Sequence, residues 1–273
     1  MTDLSIVVAS AGDLKRITDL VSNLEKQFFN NFELVVCVPF ECLENLKKNI
    51  FKPSFNLKFV GSNFRNQVVQ RAIGFSHASS ELLYQIDDDI WIEDSNHLSE
   101  LLEISKYHGP KSILVTPVYD FNGNRGSRSV KILNNSVVNF LIKNVFNNGK
   151  PIKPYSVLDC GYAVGNIDGS GVYNSWCGSH FAFNKTALPD YSPFLVNGKA
   201  FYEDVHTSYN FTKNGYKLIN TNLKVMHPPM PSISYCEYLH VVENHRLLVS
   251  LNNLSRASSE LFLFLARIVK RFK

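Results

Sequence analysis

Three consecutive carboxylates, Asp87, Asp88 and Asp89, stand between an apolar run and Trp91 in the segment LLYQIDDDIWIED. Like charges this close destabilise a fold unless something positive neutralises them. A divalent cation does so, because Mg2+ and Mn2+ prefer hard oxygen ligands and take one or two carboxylates while substrate phosphates complete the shell. A solvated acidic turn leading into the next helix, with Asp94 and Ser95 as helix-start residues, accounts for the same side chains. Position favours a site, since the triplet follows a strand-like run and open α/β sheets bind ligands at the carboxyl ends of their strands.

The elements that must hold this triplet are legible as an alternation. The runs LSIVVAS (4–10), FELVVCV (32–38), LKFVG (57–61), ELLYQI (81–86) and SILVTPV (112–118) are short, continuous and rich in branched residues, as strands buried on both faces are. Segments 13–29, 41–50, 65–78 and 94–108 between them have helical spacing and polar outer faces. Such alternation predicts βα units wound into a mostly parallel, Rossmann-like sheet flanked by helices. Beyond about residue 120, the stretches 119–129 and 147–175 are rich in Gly, Asn, Ser and Pro and read as binding loops or lids around an amphipathic segment, 135–146. A short apolar run (179–184), a helix (201–216), a strand (222–229) and a helix (233–248) are expected after them.

The segment QRAIGFSHASSELLYQIDDDIWIE (70–93) resembles the donor-binding region of family 2 glycosyltransferases of the GT-A fold. In those proteins an Arg-Asn-x-Gly helix leads through a Gly-Glu-Tyr-like turn and an apolar strand to a D-x-D motif. Arg71, Gly74, Glu81 and the triplet fall at the matching positions, while Ala72 replaces the usual asparagine and Ser80 the glycine. A second block, WCGSHFAFNKTAL (176–188) followed by AFYEDVHTSYNFTKNGYKL (200–218), is similar to the family's acceptor-side signature, with Glu203 and Asp204 as its acidic pair. His227, in VMHPP, falls where many members carry a histidine near the diphosphate and metal. The acidic residue that often reads the nucleobase after the second strand is absent, Glu41 being the nearest acid to Cys37, Val38 and Pro39.

The resemblance implies a catalytic domain over 1–230, with a nucleotide-sugar-binding half (1–120) and an acceptor-side half (121–230), and a C-terminal helical extension over 231–273. It implies Mn2+ or Mg2+ held by Asp88, Asp89 and His227, and a donor held by Ala9, Ser10, Arg71, Asp87 and Asp88, with Asp87 at the ribose. Asp204 is then the general base for an acceptor hydroxyl and Glu203 its neighbour in orienting the site. The same acidic pair could instead simply complement the positive end of a helix, and His227 could be an ordinary half-buried histidine. Trp91 is expected to pack beneath the aspartates; Trp176 could stack on a sugar ring, and the Gly-rich segment 161–175 could close over bound donor.

The expected activity is transfer of a sugar, from a UDP-sugar in the first instance, to a glycan or lipid-linked glycan in cell-surface polysaccharide synthesis, with inversion; retention stays open. A non-catalytic glycan-binding or scaffold protein on the same fold is the alternative. A sugar-phosphate nucleotidyltransferase is a weaker one, since the segment ASAGDLKRI (9–17) has a single glycine where such enzymes carry a Gly-rich phosphate loop.

Composition bounds these readings. The 273 residues are 45% hydrophobic and 19% charged, enough to bury a sizeable core. Five of the 28 Lys/Arg and one of the 24 Asp/Glu lie in 256–273, leaving 23 of each sign before it, so the net +4 resides in the tail. A neutral body argues against nucleic acid as partner. The five cysteines are scattered without a CxxC pair, which fits a reducing compartment. With no apolar run of membrane-spanning length, a cytoplasmic protein is expected. The tail SSELFLFLARIVKRFK (258–273) places Leu261, Phe262, Leu265, Ile268, Val269 and Phe272 on one face and basic residues on the rest. It suits either peripheral contact with the inner face of an anionic membrane or docking on the domain.

Overall fold

A computed structural model describes residues 2–119, 121, 140, 142–150, 157–162, 171–173, 180–191, 202–228 and 235–271, with backbone alone for 171–173, 235–238 and 266–271. The first half alternates as expected: β1 (Leu4–Ala9), α1 (Leu14–Leu24), β2 (Phe32–Pro39), α2 (Phe40–Asn49), β3 (Asn56–Ser62), α3 (Gln67–His77), β4 (Leu82–Asp87), α4 (His97–His108) and β5 (Ser112–Val115). Then come β6 (Val118–Tyr119), a π-helical turn (Ile142–Phe146), β7 (Gly171–Tyr173), β8 (Phe181–Asn184) and a 3-10 turn (Lys185–Asp190). The chain continues through α5 (Glu203–Lys213), β9 (Lys217–Asn220), β10 (Val225–Met226), α6 (Tyr235–Leu251) and α7 (Arg256–Arg271).

Eight strands form one sheet in the order β3-β2-β1-β4-β8-β5-β9-β7. β1, β2, β3 and β4 are parallel, and β8 is inserted antiparallel between β4 and β5. β9 runs parallel to β5 and β7 antiparallel to β9. Every residue of β1 and β2 is buried, and alternate side chains feed two cores. Ile6, Val8, Leu34 and Val36 pack under α1 and α4, while Val7, Val35 and Leu83 pack with Phe75, Phe181, Phe183 and Phe211 under α3 and α5. Each such fully buried side chain contributes roughly 1.5–3 kcal/mol of transfer free energy. Gly74 lets α3 lie close on β1: a Cβ there would come within 2.6 Å of Val7 Cγ1.

Some expectations need correction. The run 57–61 is not buried on both faces; β3 is an edge strand on which only Ser62 is buried. The strand expected over 222–229 reduces to Val225–Met226, which pairs with Val118–Tyr119 in a separate two-stranded ribbon, so 112–118 is two strands. The helix expected over 13–29 ends at Leu24, beyond which Lys26 N and Gln27 N bond back only three residues, to Asn23 O and Leu24 O, and Phe28 N donates to Ser95 O. Trp176, most of the loops 119–129 and 147–175, half of segment 135–146 and most of segment 161–175 lie outside the described residues.

Candidate active site

The triplet sits at the carboxyl edge of the sheet. Asp87 is the last residue of β4, in register with Ala9 of β1, and Asp88 and Asp89 form the turn after it. Polar side chains of α1 and of the segment just after it pin the chain beyond that turn. Asn23 Nδ2 donates to Ile92 O at 2.9 Å and its Oδ1 accepts from Ile92 N at 2.7 Å, while Gln27 Nε2 donates to Asp94 O at 2.9 Å. Trp91 exchanges backbone hydrogen bonds with Met226, both 2.8 Å, and Lys26 Nζ lies 4.4 Å from the centroid of its ring. That bridge delivers His227, the next residue, to the aspartates.

The three carboxylates face different partners. Asp87 turns inward: its Oδ1 accepts from Arg71 Nη2 at 2.8 Å and Gln67 Nε2 at 3.1 Å, and its Oδ2 lies 3.5 Å from His180 Nε2. Asp88 accepts from the buried Ser10 hydroxyl. Asp89 Oδ1 lies 3.2 Å from His227 Nε2, and its Oδ2 accepts from Arg16 Nη1 at 3.1 Å. Arg16 Nη1 is also 3.5 Å from Asp88 Oδ1.

The partners set the protonation states. Burial penalises the Asp87 carboxylate, but Arg71 outweighs it and holds the pKa below the usual aspartate value. Burial, then the charge of Asp89, push Asp88 up despite the Ser10 hydrogen bond. The hydrogen bond from His227 holds Asp89 down; burial works against the charge of His227, but the bond to Asp89, the Asp89 charge and the contact with Pro228 O together raise its pKa. His180 is fully enclosed, and burial lowers its pKa to about 4, so it is neutral at pH 7.

Arg71 joins this cluster to Glu203 and Asp204. Its side chain is 1% exposed, with Nη1 2.6 Å from Glu203 Oε1 and Nη2 on Asp87. An enclosed guanidinium between two carboxylates acts through them, not on an open cleft. Glu203 and Asp204 open α5, preceded by Tyr202 in a left-handed conformation (φ 66°) that turns the chain sharply into the helix. Asp204 Oδ1 accepts from Val205 N at 2.9 Å, satisfying one of the free N–H groups of the helix start. Burial, reinforced by the Glu203 charge, pushes the Asp204 carboxyl well above the ordinary aspartate range. A carboxylate so raised is a stronger proton acceptor.

Ala9 and Ser10 are both buried, and Ser10 is held on its carbonyl by Gln70 Nε2 at 2.8 Å, so they shape the floor of the edge. Glu41 is tied to Arg65, Nη2 to Oε1 at 2.7 Å.

Three residues of this cluster escaped the sequence reading. Gln67 and His180 have no spacing signal, because His180 reaches Asp87 only through the insertion of β8 beside β4. Arg16 did leave a signal: the demand for a positive charge near three aspartates, with a basic helix start at the neighbouring strand end.

The cation expected here can be tested against the donor set. Among the described residues no group of three or more His, Cys, Asp or Glu side chains is arranged to hold a metal ion. Asp88 and Asp89 nevertheless offer hard oxygens on one side of the turn. The Nδ1 of His227, 2.5 Å from Pro228 O, is suited to donate there, which leaves Nε2 as the ligating nitrogen. Such a set suits an ion that keeps waters and substrate phosphates in its shell.

No protein-family model matches the chain, and no curated protein matches it in sequence. Solved structures do match in shape. The Staphylococcus aureus TarS fragment 1–349 bound to UDP-GlcNAc superposes with a TM-score of 0.58 at 16% identity, covering 96% of this chain and 70% of that one. The mannosyltransferase PcManGT from Pyrobaculum calidifontis, in complex with GDP-Man and Mn2+, gives 0.55 at 14% identity, covering 96% and 68%. GalNAc-T7 with UDP, GalNAc and Mn2+ gives 0.63 at 15%, covering 92% of this chain and 48% of that one. The chain also spans 41% of a longer TarS structure. At these identities the likeness establishes the fold, which is GT-A.

Proposed function

We propose that this chain is a nucleotide-sugar-dependent glycosyltransferase of family 2 type. It transfers a sugar, from a UDP-sugar in the first instance, to a hydroxyl of a glycan or lipid-linked glycan during cell-surface polysaccharide assembly, with inversion. The observation that carries this reading is the Arg71 bridge, which ties the donor-edge aspartates to the helix start bearing Glu203 and Asp204. The ligands of the three solved structures, nucleotide sugars or their parts in all three and Mn2+ in two, support the same chemistry here.

Asp88, Asp89 and His227 would hold Mn2+ or Mg2+, which supplies positive charge to the departing diphosphate. Asp204 accepts the proton of the acceptor hydroxyl as that oxygen bonds to the anomeric carbon, and the bond from this carbon to the diphosphate oxygen breaks on the opposite face. Glu203 and Asp87, clamped by Arg71, fix where the two halves of the site stand, and His180 closes the floor behind Asp87 as a neutral ring.

The C-terminal helix is divided. Phe262 packs against Phe146, Tyr162 and His245, with Leu263 and Ser259 buried, so α7 docks on the domain. Leu261, Phe264 and Leu265 remain 42%, 59% and 42% exposed. That stripe, followed by the basic residues of the tail, suits contact with an anionic lipid surface. Among the described residues no helix is long and apolar enough to cross a membrane.

The test is release of nucleoside diphosphate from a panel of UDP-, GDP- and dTDP-sugars, with and without Mn2+, by wild type and by Asp204→Asn. Turnover of one donor that disappears in a variant still binding nucleotide supports the reading. Nucleotide binding with no turnover of any donor and any glycan acceptor moves the non-catalytic glycan-binding reading ahead.

A further inference from the structure

Arg16 has no role in the scheme above, yet it stands on the oxygens assigned to the cation. Its placement is built into the turn after β1. Gly12 adopts φ 91°, where a Cβ would lie 2.4 Å from Cys42 Sγ, and its N–H donates to Ser10 Oγ at 3.1 Å. Asp13 then caps α1 by accepting from Arg16 N at 3.1 Å, which sets Arg16 in the first turn, above the end of β4. From there Nη1 contacts Asp89 Oδ2 at 3.1 Å and Asp88 Oδ1 at 3.5 Å. Asp13 Oδ2 lies 4.0 Å from its Nε.

Two features distinguish Arg16 from Arg71. Arg71 is enclosed and engaged by carboxylates on both terminal nitrogens, so it cannot leave. Arg16 is 53% exposed on its side chain, and its long stem reaches the carboxylates from the solvent side. A guanidinium and a divalent cation compete for the same carboxylate oxygens, because both are satisfied by the same negative charge. Once displaced, the guanidinium remains beside the cation, where a diphosphate arrives, and its planar fork matches phosphate oxygens better than carboxylates held by a metal.

We propose that Arg16 is a diphosphate-binding residue that neutralises Asp88 and Asp89 until a divalent cation displaces it, and then pairs with the donor's phosphate oxygens. This rests on the donor-site reading above. The two roles pull binding in opposite directions. Removing Arg16 favours the cation alone and disfavours the diphosphate.

The experiment measures two affinities for wild type, Arg16→Gln and Arg16→Lys: Mn2+ alone, by the electron paramagnetic resonance signal of free Mn2+, and UDP and GDP at saturating Mn2+, by calorimetry. Arg16→Gln is expected to bind Mn2+ about two- to five-fold more tightly, the scale of a half-exposed ion pair. It should bind the nucleoside diphosphate roughly ten-fold or more weakly, the scale of a hydrogen bond to a charged group. Arg16→Lys should fall between wild type and Arg16→Gln on both. Unchanged affinities in Arg16→Gln would make Arg16 a surface ion pair and overturn the proposal. Loss of both affinities would make it a support of the cation site and overturn the competition. Wild type binding neither Mn2+ nor either nucleotide would overturn the donor-site reading itself, a result separate from the other two.

Discussion

Arg71 and Glu203 are 132 positions apart in the chain and 2.6 Å apart in space, Nη1 to Oε1, with the arginine almost wholly enclosed. The other end of the same guanidinium holds Asp87. One buried cation therefore sets the distance between the end of β4 and the start of α5, the two elements that carry the proposed chemistry. Burial works against its charge, and the two carboxylates outweigh that cost and raise its pKa.

Replacing Arg71 by Met leaves two carboxylates without their cation in a poorly solvated place. A loss of about 3–5 kcal/mol in unfolding free energy is expected, the usual cost of breaking a buried pair from one side. Denaturant unfolding measures it. A loss under about 1 kcal/mol, in the range of an exposed pair, would mean the bridge does not hold the two halves together.

Asp204 predicts a conflict between activity and stability. Its carboxyl pKa is raised by folding, so between the unfolded value and the raised one the folded state binds more protons than the unfolded, and stability falls as pH rises. Asp204→Asn removes that penalty. The variant should melt higher than wild type, by a margin larger at about pH 8.5 than at about pH 5.5, while transfer is lost. Transfer by wild type should rise with pH through the raised pKa, because only the ionised form accepts a proton. A pH-independent difference in melting temperature would contradict the assignment.

Gly74→Ala should cost about 1–3 kcal/mol by pressing a methyl onto Val7. In combination with Val7→Ala the two losses should add to less than their sum, since the second change opens the space that the first needs. Full additivity in unfolding free energies would place the strain elsewhere.

Co-sedimentation with vesicles separates the two faces of α7. Triple replacement of Leu261, Phe264 and Leu265 by Ser should reduce binding to anionic vesicles with little change in melting temperature, because these side chains are exposed. Phe262→Ala should lower the melting temperature instead, since that ring fills the pocket made by Phe146, Tyr162 and His245. Equal sedimentation of the triple variant and wild type would remove the lipid surface from the account.

The parallel half of the fold was legible because β1 and β2 are buried throughout and their β-branched runs are continuous. The aspartates were placed correctly at a strand end for the same reason. What stayed hidden depends on long-range pairing. The run FAFN (181–184) reads as a strand, but nothing local says that it runs antiparallel between β4 and β5, and so His180 could not be matched to Asp87. The sequence suggests Arg71 as a cation beside the donor, but not that its charge is enclosed between two carboxylates, because enclosure is a property of packing. The end of α1 is not legible because its partners are distant in sequence: Phe28 N donates to Ser95 O, and the Gln27 side chain bonds Asp94 O and Leu98 N.

Everything proposed for this site requires that the aspartate edge bind a nucleotide through a divalent cation. Calorimetric titration of UDP, GDP, dTDP and CMP, with and without Mn2+, into wild type and Asp89→Ala tests it most directly. The account predicts Mn2+-dependent binding of one nucleotide that disappears in Asp89→Ala. Absence of binding by every nucleotide under both conditions, or binding equal in the two proteins, would contradict it and leave the three aspartates an acidic turn.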